Sequence, residues 1–205
     1  MTPGAALDRG LDEMALALPA GASERLLGYV ALLVKWNRTY NLTAIRDPRA
    51  MVAHHLLDAL AVLPHLPLAE SASLADVGSG AGLPGIPLAI ARPRWRVALV
   101  ESSQKKAAFL RQAAIELALD NVDVHEGRVE AWRPQPRLDL AISRAFAALT
   151  DFIAACRHLV RPGGTLAAMR GAAPDSLDAQ CSLIRLKVPQ LDAQRHLVLC
   201  PASSP

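Results

Sequence analysis

The chain has 205 residues, of which 52% are hydrophobic and 20% are charged, enough for the core of one domain with a small extension. Its formal net charge of +3 permits an RNA partner without requiring one, and no apolar run is long enough to cross a bilayer. The cysteines Cys156, Cys181 and Cys200 have no metal-binding spacing and indicate a reducing compartment; no metal site is predicted.

The first third of the chain has the pattern of amphipathic helices. Apolar residues at helical spacing predict a first helix that ends at Pro19, and Ser23 is the predicted N-cap of a second helix. A polar loop is predicted from Thr39, and the pair Asp47-Pro48 then starts another helix with an acid at the N-cap and proline at the first position. We therefore predict a helical N-terminal cap over residues 1–68.

From Leu74 onwards, short apolar strands alternate with helices. The predicted strands are 74–77, 96–100, 122–124, 138–142 and 165–169, and the helices are 86–91, 105–117 and 149–159. An antiparallel pair, 183–189 and 195–199, closes the chain. This alternation predicts an α/β fold over residues 69–205, a parallel Rossmann-like sheet with ligands at the carboxyl ends of its strands.

A glycine-rich loop follows the first strand. Its residues Gly80-x-Gly82-x-x-Gly85, with Glu101 about 20 residues further on, fit a dinucleotide site. The overlapping pattern Asp76-x-Gly78-x-Gly80-x-Gly82 is also that of S-adenosylmethionine (SAM) methyltransferases, where an acid suits the ammonium and sulfonium charges of SAM. The loop alone therefore leaves open a NAD(P)-dependent reductase and a methyltransferase.

The tyrosines count against a reductase. Such enzymes need a proton donor, often a Tyr-x-x-x-Lys pair, whereas Tyr29 and Tyr40 both lie before the sheet and are followed four positions later by Leu33 and Ala44. A third interpretation, a non-catalytic RNA-binding module, would leave Glu101 and the glycine loop without a function.

Polar residues stand at the ends of the later strands as well. Glu101 ends the second strand and is predicted to bind two ribose hydroxyls, and Val129-Glu130 follows the third strand where an adenine edge would lie. Ser143-Arg144-Ala145-Phe146 follows the fourth strand and contains neither an Asn-Pro-Pro-Tyr motif nor a Pro-Cys pair. An arginine and an aromatic ring suit an acceptor with its own lone pair, such as guanine N7. Phe146 can stack on a base or belong to the core.

Basic side chains surround the loop after the second helix. Lys35, Arg38, Arg46 and Arg49 alternate with aromatic residues there, which fits an RNA contact surface or a solvated helix end. The adjacent pair His54-His55 is not predicted to bind a metal, because neighbouring helical residues point apart; one is expected in the core and one at the surface.

Together, these motifs resemble the glucose-inhibited division protein B (RsmG) family over about residues 25–199. The matching residues are Lys35-Trp36-Asn37-x-x-Tyr40-Asn41-Leu42-Thr43, Arg46-Asp47-Pro48, His55-x-x-Asp58, the loop from Asp76 to Pro87, Glu101-Ser-x-x-Lys105-Lys106, Arg128-Val129-Glu130, Ser143-Arg144-Ala145-Phe146 and Arg195-His196.

The resemblance implies a bacterial SAM-dependent methyltransferase of guanine N7 in small-subunit ribosomal RNA, and we predict a cytoplasmic monomer that acts on that RNA or on the ribosomal particle. The predicted cofactor-binding residues are Asp76, Gly78, Gly80, Gly82, Leu83, Glu101, Val129, Glu130 and Arg144. The predicted catalytic residues are Arg144, Arg128 and Arg170, the last at a position where the family often has lysine. The predicted RNA contacts are Lys35, Asn37, Arg46, Lys105 and Phe146.

Overall fold

A computed structural model describes residues 1–144, 146 and 148–202, so Ala145 of the motif after the fourth strand lies outside the described residues. Four α-helices precede the sheet: α1 (Pro3–Glu13), α2 (Ala22–Tyr40), α3 (Pro48–Met51) and α4 (Asp58–Leu60). A π-helical segment, Val52–Leu57, joins α3 to α4, and a 3-10 turn follows at Leu63–His65.

The sheet-forming part alternates strands with helices as predicted. Its strands are β1 (Ser73–Val77), β2 (Arg96–Glu101), β3 (Val122–Glu126), β4 (Leu138–Ser143), β5 (Val160–Arg170), β6 (Ser182–Leu186) and β7 (Arg195–Pro201). Its helices are α5 (Gly85–Ala91), α6 (Gln104–Glu116) and α7 (Leu149–Cys156), with 3-10 turns at Val129–Ala131 and Arg157–Leu159.

Within the described residues, the seven strands form one sheet of order β3-β2-β1-β4-β5-β7-β6. Strands β1 to β5 run parallel, and β7 runs antiparallel to both β5 and β6. The predicted Rossmann-like sheet with an antiparallel closing pair is therefore confirmed. The strand order reverses between β1 and β4, and ligands bind at such a point in open α/β sheets.

Two boundaries in the helical region differ from the prediction. The helix α1 ends at Glu13, ahead of Pro19, and Ala15 then takes a left-handed φ of 49°. The N-cap of α2 is Gly21, with φ of 73°, so Ser23 lies inside the helix and its predicted capping role is wrong. Helical backbone continues to Tyr40 and shortens the loop predicted from Thr39.

The predicted start at Asp47-Pro48 is confirmed, because the Asp47 carboxylate accepts a hydrogen bond from the Arg49 amide at 3.1 Å. In the sheet, β5 begins at Val160 rather than at residue 165, and β6 ends at Leu186 rather than at residue 189.

One hydrophobic cluster contains residues of both the N-terminal helices and the sheet. Leu26 and Leu33 of α2 and Leu56 of the π-helical segment share it with Leu74 and Leu140 of the strands. A second cluster covers the other face of the sheet beneath α7. The helices thus pack directly on the sheet; a boundary between a cap of residues 1–68 and a domain of residues 69–205 stays a prediction.

The cysteines behave differently from what their scattered spacing suggested. Cys181 and Cys200 form a disulfide, because the pairing of β6 with β7 brings together residues that are 19 positions apart. Cys156 is a buried free thiol, and burial raises its pKa to about 12.

Two features are absent from the described residues. No helix among them is both long and apolar enough to span a membrane. No group of three or more His, Cys, Asp or Glu side chains in the same part of the chain is arranged to hold a metal ion.

The packing of α1 on the π-helical segment predicts a contrast between two glycines. A methyl group at Gly10 would lie 2.7 Å from Cδ2 of the buried Leu57. We expect Gly10→Ala to lower the free energy of unfolding by about 1–3 kcal/mol, because overpacking outweighs the gain in helix propensity.

Gly4→Ala is the matched control, since its added methyl would meet only Cδ1 of Leu27, at an ordinary 3.6 Å. We expect Gly4→Ala to leave stability unchanged or raise it. Urea unfolding of the two variants measures the contrast, and equal destabilisation by both would contradict this account of the α1 contact.

Candidate active site

The glycine-rich loop connects β1 to α5 and has an unusual backbone. Gly78, Gly80 and Gly82 have φ values of 69°, 59° and 90°, which side-chain-bearing residues rarely adopt. Gly85 is required for a different reason, since a Cβ there would lie 2.8 Å from Oδ2 of Asp76. The Gly85 amide instead donates a hydrogen bond of 2.9 Å to that oxygen. The loop is thereby closed over the end of β1.

The carboxyl group of Asp76 is fully buried beneath this loop. Its second oxygen, Oδ1, has no hydrogen-bond partner in the described part of the chain. Burial raises the pKa of Asp76 to about 7, against the opposing effects of the Gly85 amide and the Arg144 charge. A buried carboxyl with an unused oxygen fits a cationic ligand, as the ammonium group of SAM would be.

A cavity of about 240 Å³ opens beside the loop at the carboxyl ends of β1, β2 and β3. Its lining residues are Val77, Gly78, Val100, Ser102, Gly127, Arg128, Val129, Glu130 and Phe146. It therefore brings together five predicted site residues from three separate parts of the sequence. The predicted cofactor-binding residues outside its lining are Asp76, Gly80, Gly82, Leu83, Glu101 and Arg144.

Glu101 ends β2 as predicted but is already engaged by the backbone. Its Oε2 accepts a hydrogen bond from the Gly80 amide and its Oε1 from the Ser103 amide, each at 2.8 Å. The side chain is only 6% exposed. Glu101 thus ties the glycine loop to β2, and its contact with ribose hydroxyls stays a prediction.

Tyr29 of α2 is a supporting residue that the sequence analysis considered only as a proton donor. Its buried hydroxyl donates a 2.5 Å hydrogen bond to the Ala81 carbonyl in the glycine loop. Burial raises the pKa of Tyr29 well above its usual value, so the hydroxyl keeps its proton. The N-terminal helices therefore support the loop directly.

Arg144, at the tip of β4, is held by the π-helical segment. Its Nη1 lies 3.1 Å from Oδ2 of Asp58 and 3.3 Å from the His54 carbonyl oxygen. The other oxygen of Asp58 lies 3.0 Å from Nε of Arg195, at the start of β7. Asp58 and Arg195 were quoted in the family resemblance without a role, and nothing in the motifs His55-x-x-Asp58 and Arg195-His196 indicated that the two side chains meet.

The three arginines predicted to be catalytic occupy different surroundings along one edge of the sheet. Arg128 is exposed and lines the 240 Å³ cavity, whereas Arg144 contacts Asp58. Arg170 is half-buried and lines a separate cavity of about 720 Å³ beside α7. Phe146 was predicted to stack on a base or to belong to the core. It lines the 240 Å³ cavity, and its ring centroid also lies 5.5 Å from that of Phe152.

The residues predicted to bind RNA also separate into two groups. Lys35, Arg46 and Lys105 are exposed. Asn37 is 4% exposed, and its amide group exchanges two hydrogen bonds of 2.9 Å with the Thr43 backbone. Asn37 therefore shapes the loop in this structure, and its contact with RNA stays a prediction.

His55 ties the same loop to the π-helical segment. Its Nε2 lies 2.9 Å from Oγ1 of Thr43, and the ring is 4% exposed, whereas His54 is half-buried. Burial and the neighbouring Arg144 charge lower the pKa of His55 to about 4. The imidazole is therefore neutral at physiological pH.

Asp76 and His55 should make stability depend on pH in opposite directions. The raised pKa of Asp76 gives stability at pH values below its usual 3.8 that is lost as pH rises towards 7. The lowered pKa of His55 gives stability above its usual 6.5 that is lost as pH falls towards 4.

Between about pH 5 and pH 7, we therefore expect Asp76→Asn to gain stability relative to the unmodified protein as pH rises, because the charged carboxylate is no longer buried. We expect His55→Gln to gain relative stability as pH falls. Urea unfolding at both pH values measures these differences. If the free energy of unfolding of both variants changes with pH as it does in the unmodified protein, neither group titrates as described.

Comparisons with known proteins agree with this geometry. The sequence model of the GidB family, described as rRNA small subunit methyltransferase G, matches residues 22–198. A protein named ribosomal RNA small subunit methyltransferase G from Methylobacillus flagellatus is 51% identical over 201 residues, which cover 96% of this chain and 97% of that protein. A protein of the same name from Burkholderia thailandensis is 50% identical over 206 residues, covering 95% and 89% of the two chains.

Solved structures support the fold alone, because their sequence identity is low. A SAM-dependent methyltransferase from Aquifex aeolicus has a TM-score of 0.57 and 16% identity, covering 78% of this chain and 96% of its own. A structure described as MtNAS in complex with MTA and tNA has a TM-score of 0.61 and 16% identity, covering 89% and 71% of the two chains. From the family match and the two near-full-length relatives, the chain belongs to the GidB family of rRNA small subunit methyltransferases.

Proposed function

We propose that this chain transfers the methyl group of SAM to N7 of a guanine in small-subunit ribosomal RNA. The observation that carries the proposal is the buried Asp76 carboxyl, whose Oδ1 has no partner in the described residues and which lies beneath the glycine loop. A phosphate-bearing dinucleotide would bring negative charge towards this carboxyl, whereas SAM brings an ammonium group. Asp76 therefore favours SAM over NAD(P).

The residues of the chain bind and orient the reactants. The cavity beside β1, β2 and β3 would take the adenosine, with its lining residues Val129 and Glu130 next to the adenine. Glu101, which lies between the lining residues Val100 and Ser102 in the sequence, would be near the ribose. The ammonium group would pair with Asp76. When bound, SAM would supply the methyl group of its sulfonium: the carbon–sulfur bond would break with its electron pair left on sulfur, and the lone pair of N7 would form the new carbon–nitrogen bond.

N7 of guanine carries no proton, so the step needs no general base and rests on alignment. Arg144 can donate to guanine O6 from the tip of β4, and Phe146 offers an aromatic face at the mouth of the cavity. Arg128 and Arg170 supply further positive charge at the same edge of the sheet.

The proposed RNA surface extends from this edge to the loop after α2. Arg46 and Lys105 are exposed there, and the ring of Tyr40, which is 42% exposed, stacks on Trp36 at 5.2 Å. We propose that a monomer acts on the RNA or the assembling particle in the cytoplasm.

Transfer of labelled methyl from SAM to small-subunit particles that lack this modification tests the proposal. We expect nucleoside analysis to find the label in 7-methylguanosine alone. SAM, but not NAD(P)H, should raise the thermal unfolding temperature of the free protein. SAM binding without label in the RNA would contradict the substrate, and stabilisation by NAD(P)H alone would favour the reductase.

The absence of a general base predicts a simple pH–rate profile. In single-turnover experiments between about pH 6 and pH 9, we expect the methyl-transfer rate at saturating substrates to lack a steep limb that disappears when one Asp, Glu or His is replaced. A steep acid limb that Asp58→Asn or His55→Gln removes would show that proton abstraction limits the reaction.

A further inference from the structure

Asp58, Arg144 and Arg195 form a cluster of which the proposed chemistry uses Arg144 alone. The two arginines reach the two oxygens of one carboxylate, at 3.1 and 3.0 Å. They come from the end of β4 and the start of β7, and Asp58 comes from the beginning of α4. Three distant parts of the chain therefore meet at one carboxylate.

The cluster keeps an excess positive charge, since two guanidinium groups face one carboxylate. Asp58 is only 1% exposed, whereas the side chains of Arg144 and Arg195 are 32% and 23% exposed. The arginines thus bury one side against Asp58 and present the other to solvent.

Several N–H groups of the pair remain available. Arg144 uses Nη1 for Asp58 and the His54 carbonyl, and Arg195 uses Nε for Asp58 and Nη1 for the Gln194 carbonyl. Nε and Nη2 of Arg144 and Nη2 of Arg195 have no partner in the described part of the chain. Fixed, paired guanidinium donors suit an oxyanion.

Two oxyanions could meet this pair, a phosphate of the RNA and the carboxylate of SAM. The strand order favours the phosphate. The cavity for the cofactor lies at β1, β2 and β3, whereas Arg195 stands at β7, beyond β4 and β5. Arg195 therefore lies two strands beyond β4 along the same edge of the sheet, and it does not line the cofactor cavity.

We infer that Arg144 and Arg195 form a binding site for a backbone phosphate of the substrate RNA next to the target guanine, and that Asp58 is the positioning residue that holds the two guanidinium groups side by side. The inference rests on the proposed function, because the phosphate belongs to the RNA that is methylated.

Arg195→Gln tests the phosphate contact, with Arg161→Gln as the matched control. Arg161 also contacts a carboxylate, Asp139 at 2.7 Å, but does so near the amino end of β4. For Arg195→Gln we expect the KM for small-subunit particles to rise about tenfold, which corresponds to about 1.4 kcal/mol, with kcat at saturation and SAM affinity changed less than about twofold.

Salt dependence gives a second readout for the same pair of variants. The slope of log affinity for the particle against log salt should become smaller in magnitude by about 1 for Arg195→Gln and stay unchanged for Arg161→Gln. An unchanged KM and slope in Arg195→Gln would overturn the inference. So would a loss of SAM affinity without a change in slope, which would assign the pair to the SAM carboxylate.

Asp58→Asn separates positioning from simple charge. Removing a negative charge makes the edge more positive, so a purely electrostatic role predicts tighter RNA binding. The positioning role predicts weaker binding, since both arginines lose their common anchor, and it predicts that Asp58→Glu recovers part of the affinity. Tighter binding by Asp58→Asn would overturn the role of Asp58.

Folding and the proposed function are checked separately. Bound SAM and a cooperative thermal transition establish that each variant is folded, and Arg195→Gln decides the phosphate site if Asp58→Asn does not fold. Failure of the unmodified protein to methylate any particle would count against the proposed function. Normal methylation by the unmodified protein and by Arg195→Gln alike, with the same KM and slope, would count against this inference alone.

Discussion

The hydrogen bond from the Gly85 amide to the buried Asp76 carboxyl is the constraint on which the site depends. Burying that group is costly, as its pKa of about 7 indicates, and the amide and the Arg144 charge offset part of the cost. Two further hydrogen bonds hold the same loop: the Gly80 amide donates to Glu101, and the Tyr29 hydroxyl donates to the Ala81 carbonyl. The glycine loop is thus held by β1, by β2 and by the N-terminal helix α2.

Charges are distributed unevenly along the carboxyl edge of the sheet. The carboxyl groups of Asp76 and Glu101 belong to β1 and β2, whereas Arg144, Arg170 and Arg195 stand at the ends of β4, β5 and β7. One side of the edge therefore suits a cationic cofactor and the other an anionic polymer. The point at which strand order reverses, between β1 and β4, is also where the two reactants would meet.

Local patterns predicted the strands, the glycine loop and the helix start at Asp47-Pro48, because these depend on neighbouring residues. Long-range contacts were not predictable in the same way. Asp58 contacts Arg144 and Arg195, which are 86 and 137 positions away in the sequence. The residues next to Asp58 in the sequence do not indicate either contact. The buried role of Asn37 and the contact between Cys181 and Cys200 depend likewise on how the loop and the last strands fold.

The position of β7 has a consequence for how the chain is made. This strand follows β5 and β6 in the sequence but lies between them in the sheet. Until its seven residues leave the ribosome, β5 presents an unpaired edge, the kind of surface on which strands of other chains can add. Arg195 begins the same strand, so the step that covers the open edge of β5 also brings Arg195 to the carboxyl edge of the sheet.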